Sequence, residues 1–161
     1  MVSPADAGFL QSLVESRLVF PELQARNMED ALSEVSRRLA AAGVVSDEAD
    51  LARRLLERER LGSTGLGAGI AIPHCKLREL RDVVLAVAMS GPGVDFHSSD
   101  GIPVSLIFLI LSPADMPALH LQALARISRV LRRPGVADRL RVARSPEEIA
   151  DALRDAEGNA A

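Results

Sequence analysis

No tryptophan or tyrosine occurs in the 161 residues, and four phenylalanines are the only large aromatic side chains. That removes the stacking platforms on which single-stranded nucleic-acid binders lay their bases. Lysine is nearly absent as well: Lys76 stands alone among 19 basic residues, the rest being arginine, and 22 acidic residues bring the net charge to −3. Such a balance gives no overall attraction for nucleic acid or anionic lipid, so any anion must be held by a local site. The single cysteine, Cys75, has no partner for an internal disulfide, which suits a reducing compartment. Missing too are a basic-then-apolar leader and any apolar stretch near the ~20 residues of a membrane span. The longest runs from Val104 to Leu111. A cytoplasmic protein, not integral to a membrane and not a nucleic-acid binder, is expected.

What is present reads as one domain. With 48% hydrophobic residues, a chain of this length buries one core and leaves little for a second, so a core from about residue 17 to 156 is expected. Ala31, Leu32, Val35 and Leu39 recur at helical spacing between Asn27, a side chain suited to an N-cap, and Gly43, a stop. A second helix starts near Ser46 and Asp47, runs through Leu51, Leu55 and Leu56 to Arg60, and ends at Gly62. The pair predicts a helical hairpin. Three β-type runs follow, Gly69 to Cys75, Val83 to Met89 and Val104 to Leu111, with a further short strand around Arg17 to Phe20. The run at Val104 is apolar at almost every position, which predicts a strand covered on both faces. Helices to cover it are predicted over Pro117 to Arg132, Val136 to Val142 and Pro146 to Ala156, the last behind a Ser145–Glu148 capping box. The fold class expected from these elements is α/β or α+β in a single domain, with helices flanking the sheet and disorder only after Glu157.

Several chemistries can be tested against these residues. The cluster Gly62-Ser-Thr-Gly-Leu-Gly-Ala-Gly fails as a P-loop, because no Lys-Ser or Lys-Thr follows its glycines. It fails as a dinucleotide fingerprint too, because it precedes a strand instead of joining a strand to a helix. A tight or flexible approach to the next strand remains. Cys75 and His74 are strand neighbours and point to opposite faces, so they do not form a thiol–imidazole dyad. The histidines at 74, 97 and 120 lack the short spacings of zinc sites, and no Gly-x-Ser-x-Gly elbow is present. Neither a metal nor a cofactor is expected.

His74 remains, with Pro73 restricting the backbone before it. A neutral imidazole has one ring nitrogen with a free lone pair, able to attack phosphorus while a hydrogen bond orients the other. Such a transfer needs donors for the phosphoryl oxygens, and Arg58, the Ser63 and Thr64 hydroxyls and loop N–H groups are candidates. His120 has two readings, a partner of an anion at a helix N-terminus or a polar residue on a wet helix face. His97, Asp95 and Asp100 read as turn and loop residues.

Taken together, several segments resemble the enzyme IIA domains of the bacterial phosphoenolpyruvate-dependent phosphotransferase system, of the fructose, mannitol and nitrogen-regulatory type. They are Glu57-Arg-Glu-Arg-Leu-Gly-Ser-Thr-Gly-Leu-Gly-Ala-Gly-Ile-Ala-Ile-Pro-His-Cys-Lys, Gly93-Val-Asp-Phe with Asp100-Gly-Ile-Pro-Val, His120-Leu, and Ser145-Pro-Glu-Glu-Ile, in the family's order. The resemblance implies a mixed sheet with helices on both sides. It implies that His74 accepts a phosphoryl group from an HPr-like phosphocarrier protein and passes it to an enzyme IIB, with Arg58 and His120 beside it. The alternative within the family is a nitrogen-regulatory protein whose phosphorylation state sets its binding to regulatory target proteins without sugar transport. Two positions depart from the family pattern: Ala68 stands where many relatives have Asn, and Cys75 where a small Gly or Ala follows the histidine. They raise two expectations, an effect of Ala68 on rate or partner choice and a redox-sensitive Cys75. Which His74 nitrogen reacts is left open by the residues.

Overall fold

Caps and apolar spacing set the helices, and alternation sets the sheet between them. The computed structural model describes residues 3–158. It begins with α1 (Phe9–Leu13), a 3-10 turn (Ser16–Leu18) and β1 (Val19–Phe20), followed by α2 (Met28–Ala41) and α3 (Glu48–Leu61). Next come β2 (Gly65–Gly67), β3 (Ile70–Ala71), β4 (His74–Leu77), β5 (Val84–Val94) and β6 (Val104–Pro113). The chain closes with α4 (Pro117–Leu131), α5 (Val136–Arg141) and α6 (Pro146–Gly158). The Asn27 and Asp47 side chains accept the Asp30 and Asp50 N–H groups and start α2 and α3 as expected, a contact each worth about 1 kcal/mol.

One mixed sheet lies between two helical layers. Its order is β1-β5-β6-β3-β2, with β4 also paired to β6. The central strand β6 is buried at nearly every position and alternates between two cores. Ile107, Leu109 and Leu111 pack with α2 and α3, while Leu106, Phe108 and Ile110 pack with α1, α4, α5 and α6. This is the doubly covered strand that its apolar run predicts.

Four features differ from the expectations. The run Gly69 to Cys75 is two strands, not one: β3 pairs with Leu106 and Ile107, β4 with Ile110 to Pro113, and Ile72-Pro73 interrupts them. Proline has no N–H to give the ladder. The glycine cluster contains a strand of its own, β2, which folds back on β3 as a hairpin. β5 runs past Met89 to Val94 through a register shift at Gly91-Pro92-Gly93. The packed structure also reaches back past Arg17 to Phe9 and Leu10, which are buried, with Glu157 accepting the Leu10 N–H at 2.9 Å. A helix of five residues is too short for periodicity to announce.

Ser145 accepts the Glu148 N–H at 3.1 Å as the capping box requires, but the Glu148 carboxylate takes the Arg144 N–H at 2.6 Å, one residue earlier than the motif specifies. Gly158 closes α6, and the remaining residues expected to be disordered, 159–161, lie outside those described.

The hairpin turn is the tightest stretch of backbone. Gly67, Ala68 and Gly69 have φ of 84°, 56° and 80°, the left-handed region in which a side chain is strained. Asp100 Oδ2 accepts the Ala68 N–H at 2.8 Å and Arg141 donates to the Ala68 carbonyl, so the turn is held from both sides. Asn tolerates this conformation better than Ala. Ala68→Asn is therefore expected to stabilise the protein by about 1 kcal/mol in urea unfolding. A destabilised variant would show that the turn has no strain to relieve.

Candidate functional site

The strand interruption builds the site. Ile72 gives its N–H to the Thr64 carbonyl at 3.1 Å, and Pro73 offers its own carbonyl to the Ile110 N–H at 3.0 Å. The Ile72 carbonyl is thereby left to an imidazole, and it lies 2.8 Å from His74 Nδ1. A carbonyl only accepts, so Nδ1 carries the proton and Nε2 keeps the lone pair. On the other side of the ring, Arg58 Nε donates to Nε2 at 3.3 Å while Arg58 Nη1 holds the Gly62 carbonyl at 2.9 Å. Both bonds select one tautomer.

Register places the rest. His74 pairs with Ile110 and so faces α4, whereas Cys75 pairs with Leu111 and packs against the α2–α3 core. Burial pushes the Cys75 thiol up to about 12, which disfavours the thiolate, the reactive form, at neutral pH. On the α4 face, His120 sits 5.4 Å from His74 between ring centroids, the planes inclined at 53°. It is 6% exposed, which overturns the wet-face alternative. Its Nδ1 lies 2.8 Å from the hydroxyl of Ser112, a buried residue two positions beyond Ile110 on the same face of β6.

Both imidazoles are neutral at pH 7. Burial is the main cause of the lowering at His74, and the Arg58 charge adds to it, against opposing effects of the Ile72 carbonyl and Glu59. His120 is pushed down to about 4, first by burial and then by the charges of His74 and Lys76.

The remaining candidates divide. Ser63 is exposed, accepting the Gly65 N–H at 3.0 Å and donating to the Phe96 carbonyl at 3.4 Å. Thr64 is buried and its hydroxyl donates to Glu59, which also accepts the Thr64 N–H at 3.1 Å. The Thr64 hydroxyl hydrogen is therefore already taken, a correction to its reading as a free donor. Its contribution here is positional, through the carbonyl that receives Ile72. A groove of about 250 Å³ opens beside His74, lined by Arg58, Ser63, Thr64, Leu66, Ser128 and Arg132 among others. Ala68 lies beyond that groove, at the hairpin tip, and lines a different depression with Arg132 and Arg141. His97 is exposed beside Asp95, and no group of metal-ligating side chains occurs among the described residues.

Ser112, Ser128 and Arg132 escaped the reading of the sequence. Period two from Ile110 points to Ser112, and period four from His120 points to the other two.

Comparison with known proteins follows the same lines. A profile described as "Phosphoenolpyruvate-dependent sugar phosphotransferase system, EIIA 2" matches residues 12–156. A nitrogen regulatory protein of Bradyrhizobium diazoefficiens is 39% identical over 144 residues, covering 89% of this chain and 94% of the relative. The fructose-specific EIIABC component of Bacillus subtilis is 32% identical over 144 residues, 89% of this chain but 23% of that longer protein. Among solved structures, IIA-Ntr of Neisseria meningitidis matches with a TM-score of 0.82 at 28% identity, over 89% of this chain and 98% of that one. Escherichia coli IIA mannitol, solved in complex with phosphorylated IIB mannitol, matches with a TM-score of 0.71 at 23% identity, over 88% and 96%, a likeness of fold alone. No helix among the described residues is long and apolar enough to cross a membrane.

The depressed pKa of His120 has a consequence for stability. Between the unfolded value near 6.5 and the folded value near 4, the unfolded chain binds a proton that the folded chain refuses. Stability therefore falls as pH drops through this window and levels off below it. Urea unfolding from pH 7 to 4 is expected to show a loss of up to about 3 kcal/mol that His120→Gln lacks. His74 contributes in the same direction in both proteins, so equal slopes would refute the assignment to His120.

Proposed function

We propose, from the premise that the chain belongs to the EIIA 2 family of the phosphoenolpyruvate-dependent sugar phosphotransferase system, that His74 Nε2 takes a phosphoryl group from an HPr-like phosphocarrier protein and passes it to an enzyme IIB. The observation that carries this is the pairing of His74 with Ile72 and Arg58, which fixes Nδ1 as the protonated nitrogen and turns the Nε2 lone pair toward a guanidinium and an open groove. A neutral ring is the nucleophilic form, and burial keeps this one neutral.

The transfer needs no proton at Nε2. The Nε2 lone pair forms the new N–P bond as the donor's N–P bond breaks and returns its electron pair to the donor's ring nitrogen. Arg58 then moves from the lone pair to a phosphoryl oxygen, a charge-assisted bond to an anion. His120, neutral and adjacent, donates a hydrogen bond to a second oxygen, and Ser63 can turn its weakly held hydroxyl from Phe96 to a third. The product is a phosphohistidine poised for in-line attack by the next acceptor.

A second reading concerns the acceptor. The 39% identity to a nitrogen regulatory protein extends over nearly the whole of both chains, and IIA-Ntr is the nearer of the two structures described above. This favours a protein that signals through its phosphorylation state by binding regulatory targets, using the same His74.

Incubation with phosphoenolpyruvate, enzyme I and an HPr-like carrier is expected to place an acid-labile phosphate on Nε2 in the native protein and none on His74→Ala. Equal labelling of that variant, or attachment at Nδ1, would sink the assignment. His120→Ala is expected to accept phosphate but to pass it on about 100-fold more slowly. By NMR, the pKa of His120 rises when His74 is phosphorylated, because a neighbouring dianion favours the imidazolium; an unchanged value would separate His120 from the phosphoryl group.

A further inference from the structure

The groove beside His74 has a second polar wall that the transfer just described leaves unused. Along α4, His120, Leu124, Ser128 and Arg132 recur at every fourth position, the spacing that keeps side chains along one face of a helix. His120 meets His74, and the other three line the groove. Helical side chains lean toward the N-terminus, which carries Arg132, at the C-cap, back over the turn of Ser128. Arg126, Arg139 and Arg141 in the same layer are each held by a carboxylate. By contrast, the Ser128 hydroxyl and the Arg132 guanidinium have no hydrogen-bond or ion-pair partner among the described residues. No aspartate or glutamate lines the groove.

We infer that Ser128 and Arg132 form the far half of an anion site, taking the oxygens of a phosphoryl group on His74 that face away from Arg58. The inference rests on His74 being the phosphoryl acceptor. A phosphorylated residue carries close to two negative charges, and Arg58 answers only one of them. Beside the half-buried His74 ring the second charge is only partly hydrated, and pairing it lowers that cost. Arg132 supplies that second positive charge. A planar guanidinium with several donors suits two oxygens at once, and the Ser128 hydroxyl, one turn earlier, completes the wall. His74, Ser128 and Arg132 line the same groove of about 250 Å³.

The test uses the full chain and three variants, Arg132→Gln, Arg132→Lys and Arg129→Gln, each phosphorylated by phosphoenolpyruvate, enzyme I and an HPr-like carrier. Arg129 is the control. It is exposed on the neighbouring turn but lines a different depression, with Pro4 and Gln122. Two quantities are read: the equilibrium partition of phosphate between carrier and protein, and the titration of the phosphoryl group by phosphorus NMR. Arg132→Gln is expected to lower the partition about three- to tenfold and to raise the phosphoryl titration midpoint, since loss of a cation disfavours the dianion. Arg132→Lys retains most of the midpoint shift, and Arg129→Gln leaves both readings unchanged. Native values in Arg132→Gln overturn the inference, as does an equal effect in Arg129→Gln, which would mark a diffuse field instead of a contact. Absence of label on the native protein overturns the acceptor reading and this inference with it. Normal labelling with an indifferent Arg132→Gln removes this inference alone.

Discussion

The hydrogen bond from His74 Nδ1 to the Ile72 carbonyl organises the site, and it exists only because the strand is broken beside it. In an uninterrupted parallel ladder a strand carbonyl in the middle of a sheet is taken by the neighbouring strand. Here Pro73 lacks an N–H, Ile72 turns its own N–H to Thr64, and the Pro73 carbonyl takes the Ile110 N–H as the ladder with β6 resumes at His74. One carbonyl is thereby released at the position from which it reaches the imidazole of the residue two further on. The same interruption fixes the tautomer and ring orientation, leaving Nε2 for Arg58 and the groove.

A second consequence follows for charge. The local break is held by Glu59, a buried carboxylate whose oxygens are both engaged by Thr64. That places a negative charge close to the groove without exposing it on the lining. What the lining presents is two guanidinium groups, two hydroxyl-bearing serines and a neutral imidazole. Before phosphorylation the balance is positive, which explains why burial and the neighbouring cation lower the pKa of His74 together. A bound dianion reverses that balance. Burial is the largest cause of the lowering at His120 as well, with His74 and Lys76 adding to it, so the ring also feels the charge its neighbour carries.

How much of the molecule is legible in its sequence follows the range over which each signal acts. Caps and helical spacing are local, and Asn27, Asp47 and Ser145 each start a helix where the residues say they should. Alternation is local too, so the placing of Cys75 on the face opposite His74 follows from their adjacency in a strand. The split of Gly69 to Cys75 into two strands is not legible in this way, although Pro73 is its cause. A proline ends a ladder only where its N–H would have faced a partner, and that depends on which strand lies alongside. Thr64 is misjudged for the same reason: its partner Glu59 lies across a turn, and propensity carries no information about where a hydroxyl hydrogen goes. Arg132 and Ser128 are hidden among the exposed polar positions of α4 until His120 is set against His74, after which the spacing of four picks them out.

Relay and signal draw on one physical event at this site. Under the proposed transfer, phosphorylation changes the charge of the groove, and Leu61 at the end of α3 and Leu121, next to His120 in the chain, are exposed apolar side chains. A partner that docks there feels the change whether or not it carries a nucleophile, because affinity differs between the two states only through contacts that differ between them. An acceptor must bring its own nucleophile in line with the N–P bond, whereas a regulatory target needs only complementarity to one charge state. The residues around His74 therefore set the size of the charge switch, and the partner's surface decides whether it is read as phosphate or as information. On the proposed reading, relay and signalling differ in what meets the groove, which fits a chain similar both to a nitrogen regulatory protein and to a fructose-specific component.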